Sequence, residues 1–205
     1  MTPAKRFFDI LLALLLMMLL AVPFALLLLV LLVTEGRPLF HVAPRMKSPG
    51  QPFALWKLRT MTVVATDTGV SGGDKRVRIT RIGVRLRRSR LDEVPQLWNI
   101  LRGDMSFVGP RPPLPVYVDR FPHIYAQVLR NRPGITGLAT LRFHQREEVL
   151  LSHCATPAET DAVYIRRCIP AKARLDLIYQ RRRSLCFDVQ LLWQTLKHAL
   201  LRHTL

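Results

Sequence analysis

A chain of 205 residues can hold one membrane element plus one compact domain, and a second full domain would be crowded once the apolar N-terminal stretch is set aside. The formal net charge of +17 is extreme for a cytosolic enzyme and points to polyanionic partners: nucleic acid, anionic lipid headgroups or phosphorylated substrates. Three cysteines (Cys154, Cys168 and Cys186) without a C-x-x-C pair argue against a disulfide framework and a zinc ribbon, and read as inert thiols in a reducing compartment.

From Ile10 to Thr34 no side chain is charged. As a helix this run extends about 37 Å, more than the roughly 30 Å hydrocarbon core. It is too long for a signal peptide and no small-residue cleavage pattern follows it. Pro23 in its middle removes one backbone donor, so a kink is expected there. Cations flank the run on both sides, Lys5 and Arg6 before it, Arg37, Arg45 and Lys47 after it. The flanks therefore do not fix the orientation of a simple spanning helix, the commoner geometry, and a hairpin entering and leaving by one face would satisfy both.

Gly36 to Pro52 is rich in proline and glycine, a β-like run follows from Phe53 to Val64, and Thr66 to Asp74 reads as a flexible loop. Lys75 to Arg90 is the most basic segment and contains no acid, a bias that calls for an anionic partner or a lipid surface. Leu91, Val94, Leu97, Trp98 and Leu101 recur at helical spacing, ending before Gly103, with Pro95 in the first turn. Asp104 to Pro115 is turn-rich and Arg132-Pro133-Gly134 marks another pause. Helical patterns then occupy Ala158 to Ile169 and Lys172 to Arg181, and a last one starts near Phe187. There Val189, Leu192, Trp193, Leu196 and Leu200 share one face, as in a helix lying at a membrane interface or packed on a core. The expected fold class is α+β, mainly helical, with a membrane helix over 1–35 and one compact domain over 36–205.

Asp92 and Glu93 are adjacent carboxylates at the start of a helical pattern, directly after the arginine run. Acids at a helix start are commonly there for stability alone. No other carboxylate of the chain has so many cations around it in sequence, and those arginines would keep Asp92 ionised and bind a diphosphate. A carboxylate that attacks phosphorus needs both conditions, and magnesium held by Asp92 and Glu93 would help bridge the phosphates. In Gly109-Pro110-Arg111-Pro112 two prolines restrict Arg111, which suits bidentate phosphate binding.

At these residues the chain closely resembles the monotopic phosphoglycosyl transferases, the bacterial sugar transferase family. The resemblance is carried by KRFFDILLA (Lys5 to Ala13), FALWKLRTM (Phe53 to Met61), the core RITRIGVRLRRSRLDEVPQLWNILRGDMSFVGPRP (Arg78 to Pro112), RPGITG (Arg132 to Gly137) and LDLIYQRRRSLCFDVQLLWQTL (Leu175 to Leu196). It implies a re-entrant helix broken at Pro23 with both ends cytoplasmic, in the inner membrane of a bacterium. It implies Asp92 as nucleophile on the β-phosphate of a UDP-sugar, Glu93 completing the dyad, Mg2+ as cofactor, and polyprenyl phosphate as acceptor. Arg87, Arg88, Arg111 and Arg59 would hold phosphate groups. Two departures stand out: Leu138 to Glu148 lacks the family's usual Trp, Gln and Asn-Gly-Arg pattern, so sugar contacts are not carried over to that loop, and Val22 stands where a serine is often found before the kink. Dimerisation is left open. The alternative from another class is a membrane-tethered basic domain that binds nucleic acid or anionic lipid without catalysis. Against a nucleic-acid partner, no helix-turn-helix, zinc or RNP-like pattern is present and aromatics are sparse around the basic run.

Overall fold

A computed structural model describes residues 1–64, 70 and 73–201. The loop read from the sequence over 66–74 lies for the most part outside the described residues. The chain opens with helix α1, Pro3–Thr34, capped by the Thr2 hydroxyl and assigned without interruption through Pro23. Among the described residues it is the one helix long and apolar enough to cross a membrane, with a mean hydropathy of 3.1 over its best 18-residue window. Phe7, Met18, Leu19, Val22 and Val33 all stay largely exposed, a surface suited to lipid rather than water.

A hairpin follows, β1 Phe40–Ser48 and β2 Gln51–Leu58, antiparallel from the Phe40↔Leu58 pair to the turn at Pro49-Gly50. The proline- and glycine-rich stretch of the sequence therefore contains a strand. Gly50 takes φ +73, which permits the tight reversal, and the prolines are tolerated because this two-stranded sheet is all edge. Strand β2 buries Phe53 and Leu55, while Trp56 on the other face meets Phe40 edge-on at 5.9 Å.

The rest is helical: α2 Arg81–Ser89, α3 Gln96–Arg102, α4 Pro115–Arg120, α5 Pro122–Val128, α6 Leu138–Ser152, α7 Pro157–Val163, α8 Ile169–Arg182 and α9 Leu185–Leu201. A π-helical turn, Tyr164–Cys168, joins α7 to α8. The segment read as a loop over Leu138 to Glu148 is part of α6. Strands β3 Ser106–Val108 and β4 Gly134–Thr136 pair in parallel and are nearly fully buried. Their approach requires glycine: a Cβ on Gly109 would stand 2.2 Å from Arg132 O, and one on Gly134 would stand 2.2 Å from Gly109 N.

Three apolar clusters hold these pieces. One joins Ala13 of α1 to Phe53, Leu55, Ile100, Met105, Phe107 and Leu191. A second packs Tyr117, Tyr125, Phe143, Tyr164 and Ile169 among α4 to α8, and a third joins Leu31, Leu58 and Leu86. Each fully buried side chain of this kind contributes about 1.5–3 kcal/mol. Polar ties fix α1 to the same body. Lys5 Nζ meets Asp188 Oδ2 at 2.6 Å, and the Arg6 guanidinium donates to Ile100 O at 2.6 Å and Leu101 O at 2.8 Å, satisfying carbonyls at the end of α3. At the far end of α1, the Arg59 guanidinium donates to Glu35 O at 2.6 Å and Gly36 O at 3.1 Å.

Candidate active site

The carboxylate pair lies on a one-turn 3₁₀ segment, Leu91–Glu93, between α2 and α3 rather than inside one continuous helix. The reason is local. Pro95 lacks an N–H and cannot continue the backbone hydrogen-bond ladder of the turn before it, so α3 begins only after it, although Val94 itself has helical φ and ψ. On the other side Arg90 ends α2 in the left-handed region, φ 60, the one non-glycine residue with positive φ among the described residues. That reversal turns the chain so that Asp92 and Glu93 both face inward, at 7% and 5% exposure. A residue without glycine's freedom held in this conformation stores strain of about 1–2 kcal/mol, a cost commonly met where function fixes the backbone. Helix α2 is itself seated by Gly83, whose missing Cβ would lie 2.2 Å from Thr60 O.

Glu93 is fully engaged. Its Oε1 lies 3.3 Å from Lys57 Nζ and 3.2 Å from Arg111 Nη2, and its Oε2 lies 3.1 Å from Arg90 Nη1. Burial alone would raise this carboxyl, but Lys57, Arg111 and Arg90 together hold it well below the usual carboxylate range. Asp92 is its opposite. Its Oδ1 is buried without a hydrogen-bond partner among the described residues. Burial first, then the neighbouring Glu93, push its pKa up, against the pull of Lys57, Arg87 and Arg111. Two adjacent acids are thus driven apart in basicity by their surroundings, a pattern typical of groups with different chemical roles.

The surrounding cations come from three segments. Arg87 of α2 donates its Nε to Thr60 Oγ1 at 2.9 Å, and its pKa is lowered, mainly by burial. Arg111 is positioned by the glycine and proline turn: Gly109 N–H donates to Thr136 O at 2.9 Å and Gly134 N–H to Pro110 O at 2.8 Å. Glu93 raises the Arg111 pKa further. Of the residues singled out from the sequence, Asp92, Glu93, Arg87 and Arg111 are brought together. Arg59 instead holds the end of α1. Arg88 is exposed at the rim of a small polar pocket with Arg90, Thr140 and His144. Lys57 and Arg90 were not anticipated. Lys57 had a readable signal: in Phe53-x-Leu55-x-Lys57 the period of a strand extends an inward apolar stripe into a lysine. Burial lowers the Lys57 pKa to about 8 against the favourable charge of Glu93.

Directly after the dyad, Val94 and Trp98 line an apolar cavity of about 410 Å³ together with Met17, Leu20 and Phe24 of α1 and Trp56 of β2. The site therefore has two sides, cationic around Asp92 and Glu93 and apolar toward the membrane helix. Such a cavity fits a hydrocarbon chain. Among the described residues no group of three or more His, Cys, Asp or Glu side chains forms a self-sufficient metal cage. Magnesium needs only one or two carboxylates when phosphates supply its other ligands, and the unpartnered Asp92 oxygen is of the right type.

Comparison with known proteins bears on this site. The bacterial sugar transferase family model matches residues 1–202. A UDP-glucose:undecaprenyl-phosphate glucose-1-phosphate transferase of Klebsiella pneumoniae is 37% identical over 137 residues, 65% of this chain and 30% of that protein. An uncharacterised sugar transferase of Bacillus subtilis (strain 168) is 38% identical over 137 residues, 67% of each chain. An undecaprenyl-phosphate glucose phosphotransferase of Komagataeibacter xylinus is 32% identical over 204 residues, 96% of this chain and 36% of that protein. The chain thus spans about a third of the length of two of these relatives and two thirds of the other.

Proposed function

Because this chain belongs to the bacterial sugar transferase family, we propose that it moves a sugar 1-phosphate from a UDP-sugar to polyprenyl phosphate, releasing UMP. The observation that carries the reading is Asp92 Oδ1, a buried carboxylate oxygen without a partner, between a cationic cradle and an apolar cavity. A nucleophile must have a free lone pair, and a doubly charged electrophile must be neutralised before it can approach an anion. Arg87, Arg111 and Lys57 provide that neutralisation. In the first step an Asp92 oxygen forms a bond to the β-phosphorus while the bond from that phosphorus to the bridging oxygen breaks, and UMP leaves with the electron pair. In the second, a phosphate oxygen of the acceptor attacks the same phosphorus, the bond to Asp92 breaks and the carboxylate is restored. Protons balance without a general base. Glu93, with both oxygens committed to cations, fixes Lys57, Arg90 and Arg111 in place.

Magnesium would be held by the Asp92 carboxylate oxygen that does not attack phosphorus, together with substrate phosphates, and would supply charge neutralisation there. The engagement of Glu93 by Lys57, Arg90 and Arg111 favours Asp92 over Glu93 as its protein ligand.

The acceptor's hydrocarbon tail belongs in the apolar cavity, one residue beyond the dyad. We also propose that α1 is re-entrant, bending at Pro23, with 36–205 on the cytoplasmic face of a bacterial inner membrane. Lys5 and Arg6 at one end of α1 and Glu35 at the other are bonded to the same body of α3, α9 and β2 with the residue that follows it. At 1.5 Å per residue, the 32 residues of α1 extend about 48 Å, so a straight crossing would put those ends on opposite sides of a bilayer.

The test is UMP release from a panel of UDP-sugars with detergent-solubilised protein, magnesium and polyprenyl phosphate. Donor alone should leave a phosphosugar on the Asp92 peptide by mass spectrometry. A protein that releases no UMP yet binds anionic vesicles would instead be a non-catalytic lipid-binding domain.

A further inference from the structure

Arg45 on β1 is a charge that the site does not answer. Its Nε is buried without a hydrogen-bond partner, and its side chain makes no ion pair among the described residues. The groups facing it are Arg111, Tyr164 and Tyr117, and its charge also reaches Lys57. Burial and Arg111 lower its pKa to about 10. The placement is built into the fold: Met46 N–H donates to Pro113 O at 3.1 Å, fastening β1 against the turn that carries Arg111. Glu93, the acid that binds Arg111, is already shared with Lys57 and Arg90. A buried guanidinium nitrogen without a partner, beside a second guanidinium that is open to solvent, is costly unless an anion entering from the solvent side answers both.

The hairpin decides which anion. In its register Arg45 pairs with Phe53 and His41 with Lys57, whereas Phe40 pairs with Leu58 and Val42 with Trp56. Strand alternation puts Arg45 and Lys57 on one face and Phe40 and Trp56, which line the apolar cavity, on the other. The acceptor tail and Arg45 are therefore on opposite sides of this sheet. From this juxtaposition we infer that Arg45 binds the α-phosphate of the nucleotide donor and holds UMP as it leaves Asp92. The inference rests on the donor reading above. Arg45 touches the leaving group only; the charge of that phosphate grows by one as the bridging bond breaks, and the guanidinium takes up the increment through its fork of donors.

The experiment measures UMP and uridine binding to the purified full chain, together with both half-reactions. In Arg45→Gln, the Kd for UMP should rise about 10- to 100-fold and that for uridine should stay fixed. The KM for UDP-sugar should rise, while transfer from the isolated phosphosugar-enzyme to polyprenyl phosphate keeps its rate and KM. Arg45→Lys should recover part of the UMP affinity, and it carries the test if the glutamine variant does not fold. An unchanged UMP Kd in both variants overturns the inference while leaving the donor reading intact. A raised KM for polyprenyl phosphate with unchanged UMP binding gives Arg45 to the acceptor and overturns it too. Wild-type protein that neither binds UMP nor releases it from any UDP-sugar overturns the donor reading, and the inference with it.

Discussion

Where α1 begins, Lys5, Asp188 and Tyr179 form a closed set. Asp188 Oδ2 receives Lys5 at 2.6 Å, Asp188 Oδ1 receives the Tyr179 hydroxyl at 2.6 Å, and that hydroxyl also reaches Val108 O at 3.2 Å. Nearby, Asp9 accepts from Phe107 N–H at 3.4 Å. Around Asp92 the balance differs. Lys57, Arg87, Arg90 and Arg111 outnumber two acids, one of which keeps an oxygen free. Both clusters bury their carboxylates; the first joins Lys5 to Asp188 across the chain, and the second brings Lys57 and Arg111 to acids that Arg87 and Arg90 already flank in sequence. The first neutralises itself and holds the membrane helix to the domain. The second is left with excess positive charge that an anionic ligand would balance.

The largest expected break in this comparison is Asp92→Asn, which should lower turnover on the order of 10⁴-fold and abolish the covalent phosphosugar adduct. Its effect on folding should run the other way. The folded-state pKa of Asp92 lies above its unfolded value, so ionisation weakens the fold as pH rises past that value, and a neutral asparagine removes the penalty. At pH 8 the unfolding midpoint should therefore hold or rise. A variant that loses stability and activity together would mean that Asp92 is a structural acid like Asp188. The counterpart is Lys5→Met. It leaves Asp188, only 1% exposed, without its cation and should cost about 3–5 kcal/mol, read as a lower midpoint, with the first half-reaction surviving at low temperature.

A pH profile sharpens the same contrast. Activity on the donor should rise as Asp92 ionises, with an acidic limb above the ordinary aspartate value, and fall as Lys57 loses its proton at about 8. Lys57→Arg should move the alkaline limb out of range. Lys57→Met should cost about 10- to 100-fold at all pH values, because Glu93 then loses one of its cations and Asp92 loses a neighbouring positive charge. An alkaline limb that persists in Lys57→Arg would assign it to another group.

How much of this was readable in the chain differs element by element. The dyad and Arg111 announced themselves, since acids beside an arginine run and a guanidinium between prolines are local patterns. The membrane helix was legible in charge-free length alone. Strand β1 was hidden by Pro44, Pro49 and Pro52, which suit an all-edge hairpin but read as loop. Helix α6 carries no side-chain cap hydrogen bond at Gly137 and spreads Arg142, Gln145, Arg146, Glu147 and Glu148 among its apolar residues, so its sequence reads as loop. Arg59, Lys57 and Arg45 are close in sequence, yet one caps α1 and two face the site, because strand alternation and the hairpin register direct each side chain. Those are tertiary facts. The closed cluster was no more visible, since Lys5 and Asp188 are separated by 183 positions.

The smallest effect compares two hydroxyls. Tyr179→Phe removes the hydrogen bonds to Asp188 and Val108 and leaves a buried carboxylate under-satisfied, so it should lower stability by about 1–3 kcal/mol with kcat/KM nearly unchanged once folded. Thr60→Val keeps the shape of a side chain only 6% exposed but frees Arg87 Nε, so the guanidinium beside Asp92 is no longer held in one orientation. The expected loss is about 5- to 10-fold in kcat/KM for the donor, with acceptor KM unchanged. The cost should fall mainly on rate because Arg87 keeps an exit to solvent and its other contact is electrostatic, whereas Asp188 has no exit at all. If Thr60→Val lowers stability as much as Tyr179→Phe and leaves rate alone, Arg87 belongs with the anchoring residues, and the cationic cradle is smaller by one.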